Sequence, residues 1–188
     1  VLDKGQFISD MIHLNDIQPA LTDSDYWQKG DLLVSCRNIS TIFLYRPSTE
    51  KIIWLKEGPW DNQHDADFHK DNQIVIFGND VIREESKFDP AFTTENLFFN
   101  EDRKNNNIYV YDFEKDSVST PYSRLMEKEK VTTKTSGRCD ILPNGDIFIE
   151  ETANGRIIFG DSITKKMEYV KRVDDNHVST LFWSRLID

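Results

Sequence analysis

Asp140-Ile141-Leu142-Pro143-Asn144-Gly145-Asp146-Ile147-Phe148-Ile149 decides how the whole chain reads. Pro-Asn-Gly is hairpin chemistry, because Asn and Gly tolerate the positive φ that a tight antiparallel turn demands. Ile147-Phe148-Ile149 is the β-branched and aromatic run of a buried strand. Further along lie two more such runs, Ile157-Ile158-Phe159 and Met167-Glu168-Tyr169-Val170, so the steps from Asp140 to Ile147, Ile157 and Met167 are seven, ten and ten residues. That spacing predicts four short strands joined by tight turns.

The unit recurs twice upstream. One copy runs through Asp16, Leu32, Ile42 and Ile52, with extra residues around Thr22-Asp23-Ser24-Asp25. Another runs through Asp67, Ile74, Ile108 and Val118, with its extra residues between Ile74 and Ile108. Leu32-Leu33-Val34 and Ile74-Val75-Ile76-Phe77 are the second strands, and Ile42-Phe43-Leu44-Tyr45 and Ile108-Tyr109-Val110-Tyr111 the third. A four-stranded antiparallel repeat of about 40 to 50 residues is the signature of a β-propeller blade, since one small sheet cannot bury both its faces alone. The expectation is therefore an all-β chain forming a single propeller segment over residues 1–188. Its blades cover about 11–58, 62–122 and 136–173, with an insertion over 82–105 and a closing strand over 178–187. The insertion, which carries Phe88, Phe92, Phe98 and Phe99, reads either as a lid or as a helical or irregular cover of apolar surface. Three blades do not close a ring, so further blades on another part of the chain, or a second copy, are expected to complete it; a start at Val1 rather than Met fits a processed or truncated piece.

Composition narrows the partners. A formal charge of −10 repels phosphate backbones and anionic lipid, which argues against nucleic acid. No apolar run approaches the length of a membrane span. Cys36 and Cys139 are too few and too far apart for a metal cluster or a disulfide framework.

Alignment of the copies puts His13, three residues before Asp16, in register with His64, three residues before Asp67, while the third copy has Gly137 there. Equivalent positions of propeller first strands face one axis, so the two imidazoles are expected to share a pocket. They could serve as base, acid, nucleophile or ligand, or merely fill a polar channel beside a turn-binding Asp. A metal held by His13, His64, Asp16 and Asp67 is chemically allowed but lacks the tight spacing of such sites, and none is assigned. Arg37, at the end of a second strand, is expected to project a cation toward His13. Its counterparts are Asn79 and Thr152, so the arginine is no requirement of the repeat. Asn15, Gln63 and Arg138 are polar neighbours expected at the mouth, whereas His69 and His177 have no repeat partner. Glu150 and Glu151 are consecutive, which points them to opposite faces and excludes a glycosidase pair.

These motifs, in order, resemble the arylsulfotransferase family of six-bladed propellers. His13-Leu14-Asn15-Asp16 is similar to the family's His-x-Asn-Ser element and Ser35-Cys36-Arg37-Asn38 to its Ser-Ser-Arg-His strand end. Gln63-His64-Asp65-Ala66 resembles its Gln-His-Thr-Ala element, and Phe77-Gly78-Asn79-Asp80 the Phe-Asp-Asn-Gly that follows. The similarity runs from about residue 11 to the C-terminus, with Asp65 standing where the family carries Thr. The resemblance implies transfer of a sulfuryl group from an aryl sulfate to a phenolic acceptor through a sulfated histidine. His64 would be the nucleophile, His13 and Arg37 would hold the sulfuryl oxygens, and Asn15, Gln63 and Arg138 would line the substrate's path. No cofactor is implied, and the implied location is periplasmic or secreted. The alternative from another class is a non-catalytic propeller that binds a small ligand, glycan or protein in the same mouth.

Overall fold

The computed structural model describes residues 10, 12–83, 97–99 and 102–186. Three four-stranded antiparallel sheets follow one another along the chain. The first is β1 (Leu14–Pro19), β2 (Leu32–Cys36), β3 (Thr41–Arg46) and β4 (Lys51–Glu57), paired in sequence order. The second starts with β5 (Asp65–His69) and β6 (Gln73–Gly78). An inserted ladder of β7 (Val81–Arg83) and β8 (Leu97–Phe99) follows, and β9 (Asn107–Asp112) and β10 (Ser117–Ser119) then complete the sheet. After a short helix, α1 (Ser123–Lys128), come β11 (Arg138–Ile141), β12 (Ile147–Glu151), β13 (Arg156–Gly160) and β14 (Lys165–Val170) as the third.

The central sheet shows why its strands are continuously apolar. Strand side chains alternate between faces. Ile74 and Ile76 of β6, with Tyr109 and Tyr111 of β9, therefore join Leu33, Ile42, Leu44 and Trp60 in one buried cluster toward the first sheet. Val75 and Phe77, with Ile108 and Val110, join Ile147, Ile149, Ile158 and Cys139 in a second cluster toward the third. Ladder pairs Ile76↔Tyr109 and Phe77↔Ile108 keep each face in step. A sheet covered on both faces needs no polar alternation, which is why periodicity alone cannot orient it. Helix α1 seals the second cluster with Leu125 and Met126, both wholly buried. Its six residues carry no pattern long enough to be read from sequence.

Register corrects one alignment. The third-strand equivalents Ile42, Ile108 and Ile157 pair with Ser35, Phe77 and Glu150, and these pair in turn with Asp16, Asp65 and Arg138 of the first strands. The structural counterpart of Asp16 is thus Asp65, not Asp67. The β1 register itself shifts by one residue between Leu14 and Asp16, where Asn15 is extra, which accounts for one of the two residues of the mismatch.

Two other expectations fare differently. The tail forms no strand over 179–186. It is held by a single bridge between Arg172 and Val178, then by Ser179 N–H to Lys171 O and Leu181 N–H to Thr152 O. The described ends of the insertion form the β7–β8 ladder, while Phe88 and Phe92 lie outside the described residues.

Gly137, which enters the third sheet where its counterparts carry side chains, has φ +97°. A Cβ there would meet the Phe77 ring at 2.6 Å. Both the left-handed backbone and the close aromatic require glycine. Gly137→Ala should destabilise the fold by about 1–3 kcal/mol, read as a lowered denaturant midpoint with an unchanged slope.

Candidate functional site

The first strands of successive sheets lie side by side, β1 against β5 and β5 against β11. Each is an edge strand whose outward N–H groups need acceptors. Asp16 Oδ2 accepts Ala66 N–H at 3.0 Å, and Asp65 Oδ2 accepts Cys139 N–H at 2.9 Å. These two buried carboxylates set the spacing of the strands that carry the histidines.

The structure brings His13 and His64 together, with ring centroids 6.5 Å apart and the rings inclined at 65°. His13 sits at φ +49°, its Nδ1 on the Asp10 carboxylate and its backbone carbonyl accepting Arg37 N–H at 3.0 Å. Arg37 opens a 3-10 turn (Arg37–Ile39) closed by a left-handed Ser40. Its side chain is buried, with Nη1 donating to Asn38 Oδ1 at 3.1 Å.

His64 is half enclosed by the neighbouring sheets, and its ring is held by a residue not singled out from the sequence. Nδ1 stands 2.6 Å from Asn79 Oδ1. Asn79 is fully buried, and its Nδ2 donates to both Thr133 O and Ser136 O at 2.9 Å. Asn106 backs this arrangement, donating to Asn79 O and Thr133 O at 2.8 Å each. Burial, then the positive field of Arg37, push the His64 imidazole down to about 3, against weaker opposing help from Asn79. The ring is therefore neutral at ordinary pH, as a nitrogen nucleophile must be. Asn79 could have been found as the counterpart of Arg37, since both follow a second strand directly.

A cavity of about 130 Å³ opens beside His64, lined also by Asn15, Asp16, Asp65, Arg138, Glu150 and the tail aromatics Phe182 and Trp183. Asn15 and Arg138 are thus among its walls. Gln63 does not line it. Its side chain is wholly buried, with Nε2 donating to Ser35 Oγ, Cys36 O and Thr41 O, so it ties β5 to the first sheet. Its backbone carbonyl accepts from Asn15 Nδ2 at 2.8 Å. Among the described residues His13 and Arg37 are not walls of this cavity either. The tail closes over it: Ser184 N–H donates to Glu150 Oε2 at 2.6 Å, and the Arg138 guanidinium lies 5.8 Å from the Trp183 ring. Burial, then the charge of Asp67 on Asp65 and of Asp16 and Asp140 on Asp67, hold the Asp65 and Asp67 carboxyls above the ordinary range, partly offset by Arg138. No group of His, Cys, Asp and Glu among the described residues is arranged to hold a metal ion. His177 is exposed on Asp174, His69 lines a groove with Val110, Ile141 and Leu142 between the second and third sheets, and both cysteines are buried free thiols.

Fold and site together define an all-β protein of stacked four-stranded sheets that presents a half-buried, neutral imidazole at the edge of the central sheet. The model of one family, arylsulfotransferase (ASST), matches residues 2–172, and the chain belongs to that family. A search of curated proteins finds no match.

The folded His64 takes up its proton far below the unfolded value, so as pH falls from 6.5 toward 3 the unfolded chain binds the proton first and stability is lost. Between pH 7 and 4 the wild type should lose on the order of 2–3 kcal/mol more than His64→Gln, measured by denaturant unfolding of both proteins at each pH. Equal losses would show that the fold does not hold His64 as a neutral ring.

Proposed function

We propose that the three sheets are blades of a six-bladed propeller, completed by further blades or a second copy, and that the chain transfers sulfuryl groups between phenols through His64. The observation that carries this reading is the half-buried, neutral His64 beside His13 and the buried cation of Arg37. The His64 lone pair forms an N–S bond as the S–O bond of the aryl sulfate breaks. The electron pair leaves on the aryl oxide, which takes its proton from solvent. An acceptor phenolate then attacks sulfur and the N–S pair returns to the ring. His13 and Arg37 stabilise the sulfuryl oxygens from preset positions, while Asn15 and Arg138 orient the aromatic parts in the cavity, chemistry that asks for no metal or diffusible cofactor. Gln63 supports the site through its backbone carbonyl rather than by touching substrate. Work outside the cytoplasm, in the periplasm or after secretion, follows from the family resemblance alone.

A second reading has its own observation. Asp16, Asp65 and Glu150 line the cavity beside His64, and carboxylates oppose an anionic sulfate ester. On that reading the same mouth binds an uncharged or cationic ligand, a glycan or a protein without transfer.

A chromogenic aryl sulfate with a phenol acceptor separates the two. Phenol release with a sulfated histidine is expected, abolished in His64→Ala and reduced about 10²–10³-fold in Arg37→Met. A folded wild type that releases nothing across a panel of aryl sulfates would move the assignment to the binding propeller.

A further inference from the structure

We infer that Asn79 is a positioning residue that locks His64 in the tautomer protonated at Nδ1, leaving the Nε2 lone pair as the only one that can attack. The orientation of the Asn79 amide is dictated by its surroundings. Its NH₂ faces two backbone carbonyls, Thr133 O and Ser136 O, both at 2.9 Å, and carbonyls only accept. The other end, Oδ1, is therefore an oxygen, and at 2.6 Å from His64 Nδ1 it requires a proton on that nitrogen. The lock is rigid because Asn79 is fully buried and Asn106 fastens both the Asn79 and the Thr133 carbonyls.

The consequence for transfer rests on the reading of His64 as the nucleophile. When Nε2 forms its bond to sulfur, Nδ1 keeps its proton, because an amide oxygen can share a proton but not remove it. The sulfated ring is then an imidazolium, and in the second half of the cycle the leaving group is a neutral imidazole rather than an imidazolate. An aspartate in place of Asn79 would draw that proton away and slow the second transfer. The same position in the first sheet is Arg37 and in the third Thr152, so three residues in one register supply the cation, the ring orienter and part of the cavity wall.

The chain has four histidines, so ¹⁵N spectra of histidine-labelled protein can be assigned with His64→Gln. In the wild type at pH 7, His64 is expected to show a protonated, pyrrole-type Nδ1 and a bare, pyridine-type Nε2. In Asn79→Ala the balance should move toward protonation at Nε2, with transfer falling about 10–100-fold at little change in KM. A wild-type His64 protonated at Nε2 overturns the inference, as does an unchanged tautomer in folded Asn79→Ala. The wild-type spectrum decides even where Asn79→Ala fails to fold. It also decides without any activity: a correct tautomer with no transfer would sink the sulfotransferase reading alone.

Discussion

A buried carboxylate on the first strand of one sheet accepting a backbone N–H from the first strand of the next is the contact on which the site depends. β5 and β11 are edge strands, and an edge strand pressed against a neighbour has donors that water cannot reach. Asp16 and Asp65 satisfy Ala66 N–H and Cys139 N–H from the preceding sheet. The bonds bring each first strand to a fixed distance from the next, and His64 immediately precedes Asp65 in the chain. Concentrating negative charge is the cost, which Arg138 moderates from the corresponding position of the third sheet, its field acting on Asp65, Asp67, Asp140 and Glu150.

The core beneath these strands is a consequence of stacking rather than of any one sheet. β6 and β9 carry apolar side chains on both faces, and each face meets a different neighbour. Packing on two sides immobilises Phe77 and Gly78, so the residue that follows them, Asn79, leaves the strand at a defined point. The loop over 132–136 arrives at the same point from the third sheet and offers its carbonyls to Asn79. A histidine half-buried among such fixed dipoles loses its charged form and keeps a single hydrogen-bonding direction. Both suit a nitrogen that must attack rather than carry a proton.

Strand positions were legible because turn chemistry and β-branched runs recur at the same intervals; Pro143-Asn144-Gly145 and Ile147-Phe148-Ile149 sufficed for one sheet, and the other two followed by repetition. His13 and His64 do meet, as the repeat led one to expect, but the observed register sets Leu14 rather than His13 at the level of His64, so they are near neighbours and not equivalent positions. The match of Asp16 with Asp67 was two residues off, and the extra residue in β1, which leaves no mark in a sequence, accounts for one of them. Gln63 read as a mouth residue from its place beside His64. Gln63 lies in the segment before β5, and its amide turns into the first sheet, where Ser35, Cys36 and Thr41 offer acceptors. The tail read as a strand from its apolar residues. It found its partners in Glu150, Thr152 and Arg138 rather than in a sheet edge.

By itself the sequence determined the repeat, the three four-stranded sheets and the family, because these follow from local periodicity and from ordered motifs that survive without knowledge of neighbours. Only the tertiary structure decided which carboxylate staples which strand, that Gln63 faces inward, and that Asn79 holds the ring of His64. Those outcomes turn on which backbone carbonyls and N–H groups are left unpaired where two sheets meet, a property that belongs to neither sheet alone.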